Sequence, residues 1–340
     1  MVKPSRAVVS SGRASDVMPS TLVALVLIFL LSACAVNPRL DLAATLPDAA
    51  PVRLESVPFY PQQAYQCGPA ALAGVLGAAG GTIDPETLAP QVYLPGRRGS
   101  LQAELVAAAR RAGFIPYLTD EQPAAPLHEL QAGRPVLVMQ NLGSPDFPTW
   151  HYAVMTGFDT SVNVIYLNTG DKSGVAVDAP EFLRTWNWAG RWAMVVLSPG
   201  QMPARVSLER YMEAALAFEK VAGADAAAPA WQAALDRWPQ APGPYLALGN
   251  RAYTGGNLAL AVDYYGRGLR RNGSDTALAN NLASVLGELG CAGAGIALLE
   301  PIHAGLPEDS DWRPVTAATL AELAAIEPGD ETACASLYPI

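Results

Sequence analysis

Residues 65–72 read YQCGPAAL, one cysteine set between a polar residue and a Gly-Pro step at the head of an alanine-rich run. Proline is tolerated in the first turn of a helix, where the N–H it lacks would have no intrahelical partner. The spacing therefore predicts a helix opening around Gly68-Pro69. That places the Cys67 sulfur at the positive end of the helix dipole, where a thiolate is favoured. The plain alternative is a small, buried, inert cysteine.

Outward from this stretch the pattern is mixed. LAGVLGAA and LQAELVAAARRAG read as helices and PLHELQAG as a short one, whereas PVLVMQ, HYAVMTGF, NVIYLN and RWAMVVLS are β-branched or aromatic runs bounded by turn residues. Helices come first and strands later, which predicts an α+β domain with helices packed on an antiparallel sheet. TGDKSGV, with Gly170 and Gly174, reads as a turn.

A cysteine nucleophile needs a base within reach and a group that holds the base in one tautomer. The chain has 3 histidines. His128 lies in a short, solvated helix and His303 in the helical second half, while His151 opens the apolar strand HYAVMTGF, where a ring can face a cleft floored by a sheet. Asn168 ends the neighbouring strand and can accept from an imidazole; Asp171 and Asp159 compete for that role. Gln62, Gln63 and the Cys67 backbone N–H are the nearby oxyanion donors. Each signal alone has a bland reading, an edge histidine or a turn-forming asparagine, so the combination carries the argument.

Together, VPFYPQQAYQCGPAALAGVL, HYAVMTGF and VIYLNTGD resemble the bacteriocin-processing, double-glycine cysteine peptidases, a papain-like group, over roughly Val57 to Pro199. The resemblance implies a thiol peptidase that hydrolyses peptide bonds, with Cys67 as nucleophile, His151 as general base, Asn168 as orienter and Gln62 in the oxyanion hole. The family more often has Asp where Asn168 stands, and its glutamine lies one residue farther from the cysteine than Gln62. No metal or organic cofactor is implied. The best-known members are fused to membrane-spanning transporters, and nothing in this chain could form six membrane helices or a nucleotide-binding loop, so their substrate is not carried over. Two other functions fit the same residues: a peptidase-like binding module without turnover, and a thiol amidase or acyl transferase acting on cell-wall peptides.

The N-terminus predicts export. Lys3, Arg6 and Arg13 precede TLVALVLIFLL, a run shorter than the ~20 residues of a bilayer-spanning helix. Leu31-Ser32-Ala33-Cys34 resembles the bacterial lipobox, which implies cleavage before Cys34 and diacylation of that residue. Each buried acyl methylene contributes ~0.8 kcal/mol to membrane attachment. Ala35, not Asp, follows the cysteine, and resemblance to sorted lipoproteins then implies the outer membrane of a Gram-negative-type bacterium, with the domain facing the periplasm. The expected organisation is a signal peptide over 1–33, a flexible Pro/Ala-rich tether over 34–56, a papain-like domain over 57–200 and an all-α domain over 205–340. Loss of the leader removes three basic residues and one acidic residue, which takes the formal charge from −9 to −11. That balance argues against nucleic acid as a partner. An oxidising compartment permits a disulfide between Cys291 and Cys334; two unpaired thiols are the alternative.

The second half repeats at a lag of about thirty-four residues: Pro239, Gly273 and Pro307 fall at that lag, as do Trp231, Tyr265 and Leu299. PYLALGNRAYTGGNLALAVDYYGRGLRRNG, from Pro244 to Gly273, resembles a tetratricopeptide repeat, with Leu248-Gly249, Ala261 and Tyr265 at its packing positions. Such arrays hold peptides or protein partners on their concave side. A generic helical tail that stabilises the first domain is the alternative.

Overall fold

The structure, a computed structural model, describes residues 39–61, 66–327 and Cys334. The expected leader, Cys34, Gln62 and Gln63 lie outside the described residues. In chain order the first part contains α1 (Leu42–Thr45), β1 (Val52–Arg53), α2 (Cys67–Ala78), α3 (Pro85–Val92), β2 (Tyr93–Leu94), β3 (Gly99–Ser100), α4 (Gln102–Arg111) and β4 (Ile115–Leu118). It continues with α5 (Ala124–Gln131), β5 (Val136–Asn141), β6 (Trp150–Asp159), β7 (Val164–Thr169), β8 (Lys172–Asp178), α6 (Ala179–Asn187) and β9 (Ala193–Leu197).

Six strands form an antiparallel sheet in the order β4-β9-β5-β6-β7-β8, and β1 pairs with the far part of β6. Alternate residues of β6 serve two cores. Tyr152 and Val154 pack with Leu72, Leu76 and Leu105 of α2 and α4. Ala153 and Met155 pack on the other face with Leu127, Phe182 and Trp186 of α5 and α6. Because both faces are covered, β6 reads as an unbroken apolar run rather than an alternating one. The α+β architecture expected from the sequence is present.

Two expectations are corrected. The stretch expected as a tether is ordered from Leu40: Leu40, Leu42 and Leu46 are buried in the α6-side core, Asp41 caps α1, and Val52–Arg53 pairs with Phe158 and Gly157. Three leucines within seven residues are enough to dock a segment too short to show a period. Lys172–Asp178 forms a strand, so the turn expected over TGDKSGV contracts to its first residues.

The second part is helical: α7 (Leu208–Ala222), α8 (Ala224–Arg237), α9 (Pro242–Thr254), α10 (Leu258–Arg271), α11 (Thr276–Glu288), α12 (Ala292–Gly305) and α13 (Trp312–Ala324). The first helices of the three pairs start at 208, 242 and 276, and the second helices at 224, 258 and 292, so both series step by 34. Ser207, Asn257 and Asp275 cap three of these starts through side-chain oxygens. Cys291 and Cys334 are joined in a disulfide.

Packing within the repeat unit needs small residues where helices approach. A Cβ on Gly249 of α9 would run into the ring of Tyr265 on α10, and that ring is fixed by its hydroxyl bond to Asn250 Oδ1 at 2.7 Å. Gly249→Ala gains helix propensity of up to ~1 kcal/mol but overpacks a closed contact, which costs ~1–3 kcal/mol. Net destabilisation of about 1–2 kcal/mol is expected in urea unfolding; a variant as stable as the parent would refute this close approach.

The sheet and the helices share one core. Ile115, Tyr117, Val195 and Leu197 of β4 and β9 join Tyr211 and Phe218 of α7, and the cluster continues through Tyr265 and Leu286 to Leu323. The connecting segment is tied down as well: Glu129 Oε1 accepts the Ala204 N–H at 2.7 Å while its other oxygen takes Arg134. Among the described residues no helix is long and apolar enough to cross a membrane.

Candidate active site

Cys67 begins α2, and Gln66 before it makes no side-chain cap. Gly68 follows because Ser100 of β3 sits against its Cα, where a Cβ would collide with the serine hydroxyl. The helix thereby enters close beneath the β2–β3 hairpin. The sulfur accepts backbone N–H groups from Tyr152, Gly68 and Cys67 itself.

The Tyr152 contact follows from strand register. Met139, opposite Tyr152, gives its N–H to Trp192 O on the β9 side, so the 139–152 pair exchanges no bonds and the Tyr152 N–H points toward β7. The β6–β7 ladder begins at Val154–Asn168, beyond Tyr152, and the Cys67 sulfur lies on the Tyr152 N–H. His151 is the preceding residue, and Cys67, His151 and Tyr152 line one cavity of about 810 Å3 together with Ser100, Met139, Trp150 and Gly170.

The His151 ring is held at Nε2 by Thr169 Oγ1 at 2.7 Å. Asn168 does not reach it. Asn168 pairs with Val154, and successive strand residues point to opposite faces, so its side chain leaves on the α2 side while that of Thr169 leaves on the other. The Asn168 Oδ1 accepts the Gly174 N–H at 2.9 Å and lines a separate cavity with Arg53 and Thr156. Of the two neighbours, Thr169 and not Asn168 is the one in contact with the imidazole. Among the described residues no hydrogen bond joins the Cys67 sulfur to His151; the ring's Nδ1 is the nitrogen left open.

Electrostatics also differ from the sequence expectation. Burial pushes the Cys67 thiol above its ordinary value of 9.0, and the three N–H contacts pull the other way without overcoming it. The helix start alone therefore does not make a resting thiolate. Burial lowers His151 below its ordinary 6.5, which keeps the imidazole neutral. Burial, then the Cys67 charge, raises the Tyr152 phenol, whose hydroxyl donates to Ser100 O at 3.2 Å and braces β3 over the cavity. At neutral pH the pair is thiol and neutral imidazole.

Other histidines are elsewhere: His128 is bonded to Gln131 on α5, and His303 to Thr316 between α12 and α13. Two residues at the site were not legible in advance. Thr169 had only its place after Asn168 as a signal, and Ser100, whose buried Oγ has no hydrogen-bond partner among the described residues, had none. No group of three or more His, Cys, Asp and Glu side chains suited to a metal occurs among the described residues.

The α+β domain is thus an antiparallel sheet with helices on both faces, a cysteine at the start of the helix crossing it and a histidine near the start of its central strand. Residues 54–194 match the Peptidase_C39 like family. A Bacillus anthracis chain described as a C39-like peptidase is similar at 20% identity and TM-score 0.38, over 46% of this chain and 100% of that one. No curated protein matches the chain. The matched stretch ends within β9, before the helical region begins.

Proposed function

We propose that the chain is an exported, lipid-anchored thiol peptidase. The observation that carries it is the Cys67 sulfur, held on the Tyr152 N–H inside the cavity that His151 also lines. With Nε2–H given to Thr169, Nδ1 keeps its lone pair and takes the thiol proton as sulfur attacks the peptide carbonyl. The oxyanion donors in this reading are the Cys67 N–H and an upstream glutamine, Gln62 or Gln63. The imidazolium returns the proton to the departing amine, leaving a thioester. Water then attacks with His151 again as base, and the carboxylate product leaves as the thiol re-forms. Thr169 serves as positioning residue in place of Asn168.

Export rests on the leader-like start of the sequence, and attachment on acylation of Cys34, which places the domain at an outer membrane facing the periplasm. The 34-residue step of the helix pairs supports tetratricopeptide-like repeats that recruit substrate or a protein partner. The raised thiol and the missing Cys67–His151 bond favour a second reading, a binding domain without turnover.

Incubation with casein, followed by sequencing of new N-termini, separates the two. New termini are expected with the parent chain and none with Cys67→Ala. Termini that persist in Cys67→Ala, or iodoacetamide capture of Cys67 no faster than of free cysteine at pH 7, would remove the peptidase assignment.

A further inference from the structure

Away from Cys67, a cavity of about 550 Å3 opens between β4, the loop before β9, the end of α4 and the flank of α7. That volume falls within the ~300–1,000 Å3 of ordinary ligand sites. One side is an unfinished sheet edge. The Thr119 N–H bonds Ala193 O, which fixes the alternation: Ile115 and Tyr117 exchange bonds with β9, while Pro116 and Leu118 turn their polar groups outward. Proline suits the outward position because it has no N–H to leave bare. The carbonyl of Pro116 and both polar groups of Leu118 have no hydrogen-bond partner among the described residues, and both residues line the cavity.

Three guanidinium groups converge on the same space. Arg191 bonds Asn187 Oδ1 and Glu121 O, and Arg210 bonds Thr119 O. Neither has a carboxylate within ion-pair distance among the described residues, although Glu121 and Glu213 also line the walls. Arg110, at the end of α4, has no hydrogen-bond or ion-pair partner among the described residues, and its Nε is closed off from solvent. Buried donors in native proteins are nearly always satisfied, so an unpaired guanidinium N–H at a cavity wall calls for an acceptor. Guanidinium forks match the two oxygens of a carboxylate. A free strand edge takes an extended peptide backbone.

We propose that this cavity binds the C-terminal segment of an extended peptide, which adds as a strand to the outer edge of β4 and sets its terminal carboxylate among Arg110, Arg191 and Arg210. A free small anion would satisfy the arginines but not the strand edge, and an amidated peptide the reverse. The site lies between the sheet and the first helix of the array, so it positions one end of a bound chain independently of Cys67.

The test uses the full chain carrying Cys67→Ala, which keeps peptides intact, and a fluorescein-labelled degenerate heptapeptide library prepared with either a free or an amidated C-terminus. The free-carboxylate library is expected to raise polarisation, with the amidated one at least tenfold weaker. Arg110→Met is expected to weaken binding at least tenfold and Arg110→Lys less, both with the parent melting temperature. If Arg110→Met does not fold, the exposed Arg210→Met gives the same readout. Equal binding of the two libraries, undiminished binding by the methionine variant, or no binding of either library would overturn the proposal.

Discussion

Alanine at position 151 is expected to slow iodoacetamide capture of Cys67 at pH 7 by about 10²–10⁴-fold, the usual contribution of a positioned general base. The size follows from the two resting forms. The Cys67 thiol, held above its ordinary 9.0 by burial, contributes little thiolate of its own at neutral pH, so the proton must leave through the imidazole. His151, lowered below 6.5 by burial, is unprotonated at pH 7 and loses its basicity only as pH falls through that lowered value. In the parent the rate should therefore rise below pH 6.5 and stay level to about pH 8. In His151→Ala it should climb about tenfold per pH unit until the thiol itself ionises, above 9.0, where the two profiles converge. Thr169→Val should lower the neutral plateau, because Nε2 loses the partner that sets the tautomer, whereas Asn168→Ala should leave it in place. Identical profiles for the parent and His151→Ala would separate the imidazole from the sulfur's chemistry.

Removal of the Cys291–Cys334 disulfide gives the second large effect. The bridge closes a segment of 43 residues, for which loop-closure entropy gives about 4 kcal/mol. Both cysteines are buried against the helical core, so the double alanine substitution also loses some packing. Urea unfolding under non-reducing conditions should show the midpoint of the double variant displaced by that amount. The parent in excess dithiothreitol should shift in the same direction. Coincident midpoints would mean the bridge constrains nothing in the unfolded chain.

Much of this architecture could be read from residue order. CGPAAL marked the start of α2 because a proline in a first turn has one physical reading, and HYAVMTGF marked the central strand because both of its faces are apolar. The lag in the second half anticipated the spacing of helix starts, since each pair must repeat its packing residues to stack on the next. Side-chain parity was not legible. Whether Asn168 or Thr169 faces His151 depends on which β7 residue stands opposite Val154, and both offer an acceptor oxygen at almost the same place in the chain. The state of the Cys67 thiol was hidden too, because residue order marks the helix end but not the burial that the hairpin and strand impose on the sulfur. The segment from Leu40 was not legible either, because its three leucines show no period and its strand is two residues long. The arginines of the second cavity come from three separate elements, and only folding gathers them.

The apolar continuity from β4 and β9 into α7 has a further meaning. A chain ended after Pro199 would leave Ile115, Tyr117, Val195 and Leu197 facing solvent, so the front half has no seam along which it can be lifted out. Exchange of the helical array for another by recombination would succeed only where the newcomer brought a matching first helix. Lineages carrying this sheet should therefore drift in their outer repeats while the helix beside β4 stays fixed.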